Sequence, residues 1–399
     1  LDAYSAFRSR DFRLFLTGSL VSNFGLQMLS VAVSWDLYLE TKSALVLGNV
    51  GLVQVAPFLL FALLAGNLAD RYDRRRIMIV TQCVALSASG LLLLRTSPTV
   101  LMIYATLFLN AMARSFQGPA RMAVLPHVVR PETLRNAITW HSSAQEIANV
   151  GGPALAGILL ASVGSRAVYT VQIVCATLTL ACFWLLRVRF DADKDPRPPD
   201  PKDLLEGVRF VWNHSLILPA ISLDLFAVLF GGATALLPIF AVDILHTGAH
   251  GLGWLRAAPS LGAVSMAILL SHAGKLHRAG LTLLWAVAGF GGAIIVFGLS
   301  RSLWLSFAML LLTGAFDNIS VVLRQSLVQT RTPDHLKGRV LAVQNIFISC
   351  SNQLGAVESG WTAAWFGPIV SVVGGGLMTI AVVTGFAARS PALRKWNQS

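Results

Sequence analysis

The sequence predicts an all-α membrane protein with twelve transmembrane helices in two similar halves. Three observations carry that expectation. Of 399 residues, 55% are hydrophobic and only 13% charged, with a mean hydropathy of +0.66, whereas soluble domains average about 25% charged. Apolar runs long enough to cross a bilayer as helices, at ~20 residues each, alternate with short polar turns. The polar turns also repeat at half the chain length. A net charge of +12 would suggest nucleic acid as the partner of a soluble protein. Here the basic residues are scattered among turns, which excludes nucleic acid and fits lysines and arginines held against anionic lipid.

Taken in order, Arg8, Arg10 and Arg13 precede a first span at 14–38, and a second follows a short turn and runs to 69. The hairpin 66–76, G-N-L-A-D-R-Y-D-R-R-R, interrupts the apolar sequence abruptly. A turn this basic cannot enter hydrocarbon and is expected at the cytoplasmic surface. Further spans are expected at 77–94, 99–122, 137–163 and 167–186. The segment 187–209 carries Pro196, Pro198, Pro199 and Pro201 among alternating charges. It is too polar for lipid and too proline-rich for one helix, so it reads as a linker. The expected domains are therefore 1–188, a cytoplasmic linker at 189–213, and 214–399. The second half supplies spans at 215–244, 252–272, 281–299, 303–328, 340–366 and 368–388.

Sorting the basic residues by side places Arg71, Arg74, Arg75, Arg76, Arg121, Arg324 and Arg339 with the cytoplasmic ends. Only Lys42, Arg95, Arg166 and Arg301 fall on the opposite side. That asymmetry predicts an even number of spans and two cytoplasmic termini. The opening segment 1–13 is polar and basic, so no cleavable signal peptide is expected, and the lack of an initiator Met places the true start upstream. The halves look duplicated. Arg130-Pro131-Glu132-Thr133-Leu134-Arg135 parallels Thr332-Pro333-Asp334-His335-Leu336-Lys337 at an offset of 202 residues. Internal repeats of this kind mark secondary transporters, whose sites lie near the midplane.

No catalytic signature, phosphate-binding loop or metal-ligand spacing is present, so neither an enzyme nor an ATP-driven pump is expected, and no cofactor or metal. Seven ionisable groups fall within spans: Asp36, Arg114, Glu146, Asp224, Arg256, Asp317 and Glu358. Each would cost ~2.5–3.5 kcal/mol facing lipid at a helix centre, so each is expected to face a cavity or a partner. Asp36 lies near an outer helix end, where water can solvate it. Arg256 can pair with Asp224 or Asp243. Asp224 and Asp317 lie deepest and are candidates to exchange protons, with Asp224 first unless Arg256 approaches it. Gly152, Pro153 and Gly157 in span five allow close helix packing and a bend.

The hairpin residues Gly66, Leu68, Asp70, Arg71, Arg74 and Arg75 resemble the loop signature of the major facilitator superfamily, G-x-L-A-D-R-x-G-R-K/R. Asp73 departs from it, standing where the family has glycine. Gly152-Pro153-x-x-Ala156-Gly157-x-Leu159 is similar to the motif of the superfamily's exporters. Thr332-Pro333 with Gly338-Arg339-Val340 resembles the branch that contains the bacterial enterobactin exporter. The resemblance implies two pseudo-symmetric six-helix bundles rocking around a central cavity. It also implies a conformational gate in which Asp70 docks at the start of span eleven, near Gly338 and Arg339. A carboxylate at a helix N-terminus is favourable there. The expected function is secondary transport: proton-coupled efflux of a small organic or amphiphilic compound, siderophore-like or drug-like. The alternatives are a lipid or lysolipid flippase, a facilitator, and a transport-dead receptor or scaffold. The expected partners are the small-molecule substrate, protons and membrane lipid, with the protein a monomer.

Overall fold

A computed structural model describes residues 4–94, 99–187, 201–272, 278–333 and 336–397, with the side chains of 62–63, 66–67, 69–71 and 201–205 left aside. The described residues contain no strand. Six long helices come first: α1 (Arg10–Thr41), α2 (Ala44–Arg71), α3 (Arg74–Leu91), α4 (Val100–Val124), α5 (Leu134–Ser162) and α6 (Ser165–Trp184). The amphipathic α7 (Pro201–Asn213) leads into α8 (Ile217–Phe230) and the short turn α9 (Leu237–Ile239). Then follow α10 (Gly248–His272), α11 (Ala279–Leu299), α12 (Leu303–Arg331), α13 (Lys337–Phe366), α14 (Pro368–Arg389) and the terminal α15 (Pro391–Arg394). Nine helical segments among the described residues are long and apolar enough to cross a membrane. Of the twelve expected spans, α3, α4 and α5 fall outside those nine. Their polar residues lower the hydropathy, and several of these, such as Gln82 and Gln117, are buried in protein.

Two findings differ from the expected elements. Residues 201–209 are not irregular linker but part of α7. Pro201 opens that helix, in the first turn, where a missing N–H removes no intrahelical hydrogen bond. Span seven is not one continuous helix. It breaks at Gly231-Gly232 and continues through a 3₁₀ turn into a π-helical stretch, Phe240–Ile244. A Cβ at Gly231 would lie 2.3 Å from the Phe290 ring and 2.7 Å from the Ala227 carbonyl, so close packing requires glycine there.

The chain forms two compact units, one of Leu1–Glu40 with Val53–Pro198 and the other of Thr41–Leu52 with Pro199–Ser399. In the first, α3 packs on α4 and α6, around a core that includes Phe12, Phe15, Met78, Val124 and Phe183. In the second, α10 packs on α12, α11 on both α12 and α14, and α13 on α8 and α14. The first turns of α2 join this second unit, where Gly48 and Gly360 bring the backbones of α2 and α13 into contact. Trp361 donates to Asn49 beside them at 3.0 Å.

Two turns have matching backbone conformations near the same offset. Gly164, between α5 and α6, has φ 95° and ψ 177°. Gly367, between α13 and α14, has φ 88° and ψ 155°. Both are left-handed positions that favour glycine. They are 203 residues apart, within one of the sequence offset.

Candidate functional site

The second unit holds the most deeply buried charges. Asp224 stands on α8 between apolar neighbours and is 5% exposed; Arg324 on α12 is 2% exposed. The Arg324 guanidinium forms an ion pair with the Asp224 carboxylate and donates from Nε to the Ser320 carbonyl at 3.3 Å. Asp317 lies seven residues before Arg324 on α12. Seven residues is two helical turns, which puts both on one face. It interacts electrostatically with Arg324 and Asp224. Asp224 pairs with the guanidinium directly, and the half-buried Asp317 lies within the field of the same charge. With both ionised, the cluster carries one excess negative charge in a low-dielectric setting, which a bound proton would remove.

This arrangement bears on two sequence expectations. Arg256 is not the partner of Asp224; that partner is Arg324. Asp243 lies 3.8 Å from Lys42, with both side chains about half exposed. Arg324, counted with the cytoplasmic ends, lies inside α12, two turns before the end of that helix at Arg331.

The first unit contains a different polar interior. Asn110, Arg114, Gln117 and Arg121 follow one another on α4 at spacings of four, three and four, which makes a single stripe along the helix. A cavity between α1, α3, α4 and α6 is lined by Ser22, Gln82, Asn110, Arg114, Gln117 and Gln172 together with small apolar residues. Gln117 donates to Gln82, and Gln82 to the Ala176 carbonyl, each at 3.2 Å. The sequence reading found Arg114 but missed the rest of the stripe. The four-three-four spacing was the available signal.

The remaining candidates are placed as follows. Asp36 on α1 accepts hydrogen bonds from Ser165 and, at 2.6 Å, from the Tyr169 hydroxyl, which tie α1 to α6. Glu146 on α5 is half-buried. Glu358 on α13 accepts from the Ser359 hydroxyl at 3.4 Å. Gly152 and its neighbour Gly151 press α5 against Gln27 and Phe24 of α1. Pro153 and Gly157 are buried beside them. Asn149, one turn earlier, accepts from Gln27 at 2.6 Å.

At the hairpin, the side chains of Asp70 and Arg71, and Gly66, lie outside the described residues. Arg74 donates to the Ala123 carbonyl at 3.2 Å. Arg75 donates to the carbonyls of Phe183, at 3.2 Å, and Trp184. These two arginines therefore satisfy open carbonyls at the C-terminal ends of α4 and α6, where a positive charge also suits the helix dipole. Asp73 caps α3 by accepting from the Arg75 amide at 2.9 Å, which gives the departure from glycine a structural role. On α13, Gly338 has open space around it. Arg339 pairs with Glu206 of α7, and its Cβ lies 2.8 Å from where a Gly207 side chain would begin.

Comparisons with known proteins agree with this fold. A family profile described as "transmembrane secretion effector" matches residues 1–399. The enterobactin exporter EntS of Citrobacter koseri is 29% identical over 383 residues, covering 93% of this chain and 90% of that protein. The EntS of Escherichia coli O1:K1 is 28% identical over the same shares. Among solved structures, a POT family transporter in complex with 5-aminolevulinic acid superposes with a TM-score of 0.78 at 10% identity, covering 97% of each chain. A bacterial homolog of the human lysosomal transporter Spinster gives 0.71 at 15% identity, again over 97% of each chain. A multi-pass chain with these relatives is a membrane transporter. It belongs to the transmembrane secretion effector family of the major facilitator superfamily.

Proposed function

We propose that this protein is a proton-coupled exporter of a small amphiphilic organic compound, working by alternating access. The curated relatives are enterobactin exporters, so an enterobactin-type siderophore is the first cargo to assay. The proposed architecture is twelve spans in two six-helix bundles, 1–188 and 214–399, joined by 189–213. The termini are cytoplasmic and the protein works as a monomer in the inner membrane. Gly66, Asp70, Arg71, Arg74, Arg75, Gly338 and Arg339 form the proposed gate.

The observation that carries proton coupling is the buried Asp224–Arg324 pair with the half-buried Asp317 on the same face of α12. An arginine does approach Asp224, so the proton-exchanging role moves to Asp317, while Asp224 holds Arg324. Loading Asp317 with a proton neutralises the cluster, and releasing it on the other side restores the excess charge. A conformational equilibrium that depends on that charge is driven by the pH gradient.

The test is cargo flux in inverted vesicles with and without a pH gradient. Asp317→Asn keeps the cluster permanently neutral, so the variant should fold and bind cargo while its flux ignores the gradient. Asp224→Asn removes one partner of a buried pair and should destabilise the protein by about 3–5 kcal/mol. Full gradient-driven flux in Asp317→Asn would rule out this role. Headgroup-labelled lipid moving in place of the siderophore would identify a flippase.

A further inference from the structure

Span seven breaks at the point where α13 brings a carboxylate beside it. The Gly231 amide closes the last turn of α8 onto the Ala227 carbonyl at 2.8 Å. In a continuing helix the Gly232 amide would donate to the Val228 carbonyl, and that bond is not formed. The carbonyls here face α13 instead. A Cβ at Gly355 would lie 2.8 Å from the Val228 oxygen and 3.0 Å from the Leu229 oxygen. Glu358 is three residues further along α13, so it stands on the same side of that helix. It is half-buried, and its carboxylate accepts from the Ser359 hydroxyl at 3.4 Å. That hydroxyl lies 3.2 Å from where a Gly232 side chain would begin. The Ser371 hydroxyl of α14 donates to the Ser359 carbonyl at 3.0 Å, which fixes this turn of α13. No lysine or arginine forms an ion pair with Glu358 among the described residues.

Every group at this junction is electronegative. A helix C-terminus carries the negative end of its dipole and favours a cation, and an ionised carboxylate within a span is costly without a counter-charge. The repeat shows that break and carboxylate go together. At the offset of 202 that relates 130–135 to 332–337, Glu358 corresponds to Ala156 and Gly231-Gly232 to Leu29-Ser30. In that half α1 runs unbroken through both positions. The half without the carboxylate keeps its helix continuous, and the half with it opens the backbone beside it.

We propose that the break in span seven, together with Glu358, is a Na⁺ site. Glu358 supplies the one negative charge that a monovalent ion needs, and the Ser359 hydroxyl and the carbonyls at the end of α8 supply neutral oxygens. Freed carbonyls at a helix break are a means by which transporters hold Na⁺ within a span. The sequence expectation of no metal concerned spaced clusters of cysteine, histidine and acidic residues, which such a site does not require. The site is separate from the Asp224–Arg324 pair and goes beyond the proton role proposed for Asp317.

Thermal unfolding of the full purified chain is followed in detergent at pH 8 while NaCl replaces choline chloride at constant ionic strength. The midpoint should rise with Na⁺ and then level off, as binding to the folded state alone requires. Direct binding of radioactive Na⁺ gives the affinity. Glu358→Gln should weaken it roughly ten-fold or more, the size of one lost charge-assisted contact. Ser359→Ala should weaken it less, and Asp317→Asn should leave it unchanged. A midpoint indifferent to Na⁺ would overturn the site. So would a Na⁺ response that survives Glu358→Gln, or one that disappears in Asp317→Asn and so belongs to the other carboxylates. Should Glu358→Gln fail to fold, full Na⁺ affinity in Ser359→Ala would overturn the site instead. Na⁺ binding with flux that ignores the pH gradient would overturn the proton reading alone. Gradient-driven flux without Na⁺ binding would overturn this site alone.

Discussion

Gly152 sits so close to α1 that a Cβ there would lie 2.7 Å from the Cβ of Gln27 and 3.1 Å from the Phe24 carbonyl. Neither neighbour is the far end of a flexible chain, so Gly152→Ala must push the helices apart. It should lower stability by about 1–3 kcal/mol. Gly90→Ala, with nothing within 4 Å of its Cβ, is the control and should be neutral or slightly stabilising. Thermal unfolding of the two variants in the same detergent checks both. Individual positions were also where sequence reading was weakest. Single ionisable residues in apolar runs stand out, so Asp224, Asp317 and Arg114 were visible. Which charges meet is decided by helix rotation and packing, and so the Asp224–Arg324 pair was not. Arg324 looked like a surface residue because it lies only seven residues before the end of α12 at Arg331. Gln82 and Gln172 carry no charge and barely change local hydropathy, so nothing in the sequence drew attention to them.

His214 sits between α7 and α8, outside the spans, and shows how a junction between elements can respond to pH. Its Nδ1 accepts from the backbone amides of Leu216 and Ile217, each at 3.2 Å. Only an unprotonated Nδ1 can do so. Burial, with Arg331 nearby, holds its pKa below the ordinary 6.5. The unfolded junction therefore takes up a proton at a higher pH than the folded one. The contribution to stability is complete above pH 6.5 and is lost as pH falls through 6.5 towards the folded value. Amide exchange of Leu216 and Ile217 should accelerate over that range, and His214→Asn, which does not titrate, should flatten the response. Elements were largely legible, because length and hydropathy report helices that must satisfy their own backbone in lipid. The exceptions have physical reasons. The Gly231-Gly232 break depends on how closely Phe290 approaches. The start of α7 depends on a proline being harmless in a first turn but disruptive in a helix interior.

At the scale of the whole chain, the duplication was readable from two matching turns, and the glycines at 164 and 367 repeat it in backbone conformation. The division into compact units was less legible. Connectivity suggests a break at the polar linker alone, yet residues 41–52, which include the first turns of α2, group with the second unit. Tertiary contacts of Gly48 and Gly51 with α13 produce that grouping, and contacts so distant in sequence leave no local trace.

The passage of α2 from one unit into the other has a mechanical consequence. The change falls between Leu52 and Val53, and Pro57 lies inside the same helix. A residue at 57 would donate its amide to the carbonyl four positions back, which is that of Val53. Proline has no amide to give. The ladder of helical hydrogen bonds therefore lacks a rung at the position where the helix changes allegiance, and strain along α2 should yield there first. Pro57→Ala restores the rung. Hydrogen exchange across residues 53–60 should slow in that variant, and an unchanged exchange pattern would show that the helix is already stiff at this point.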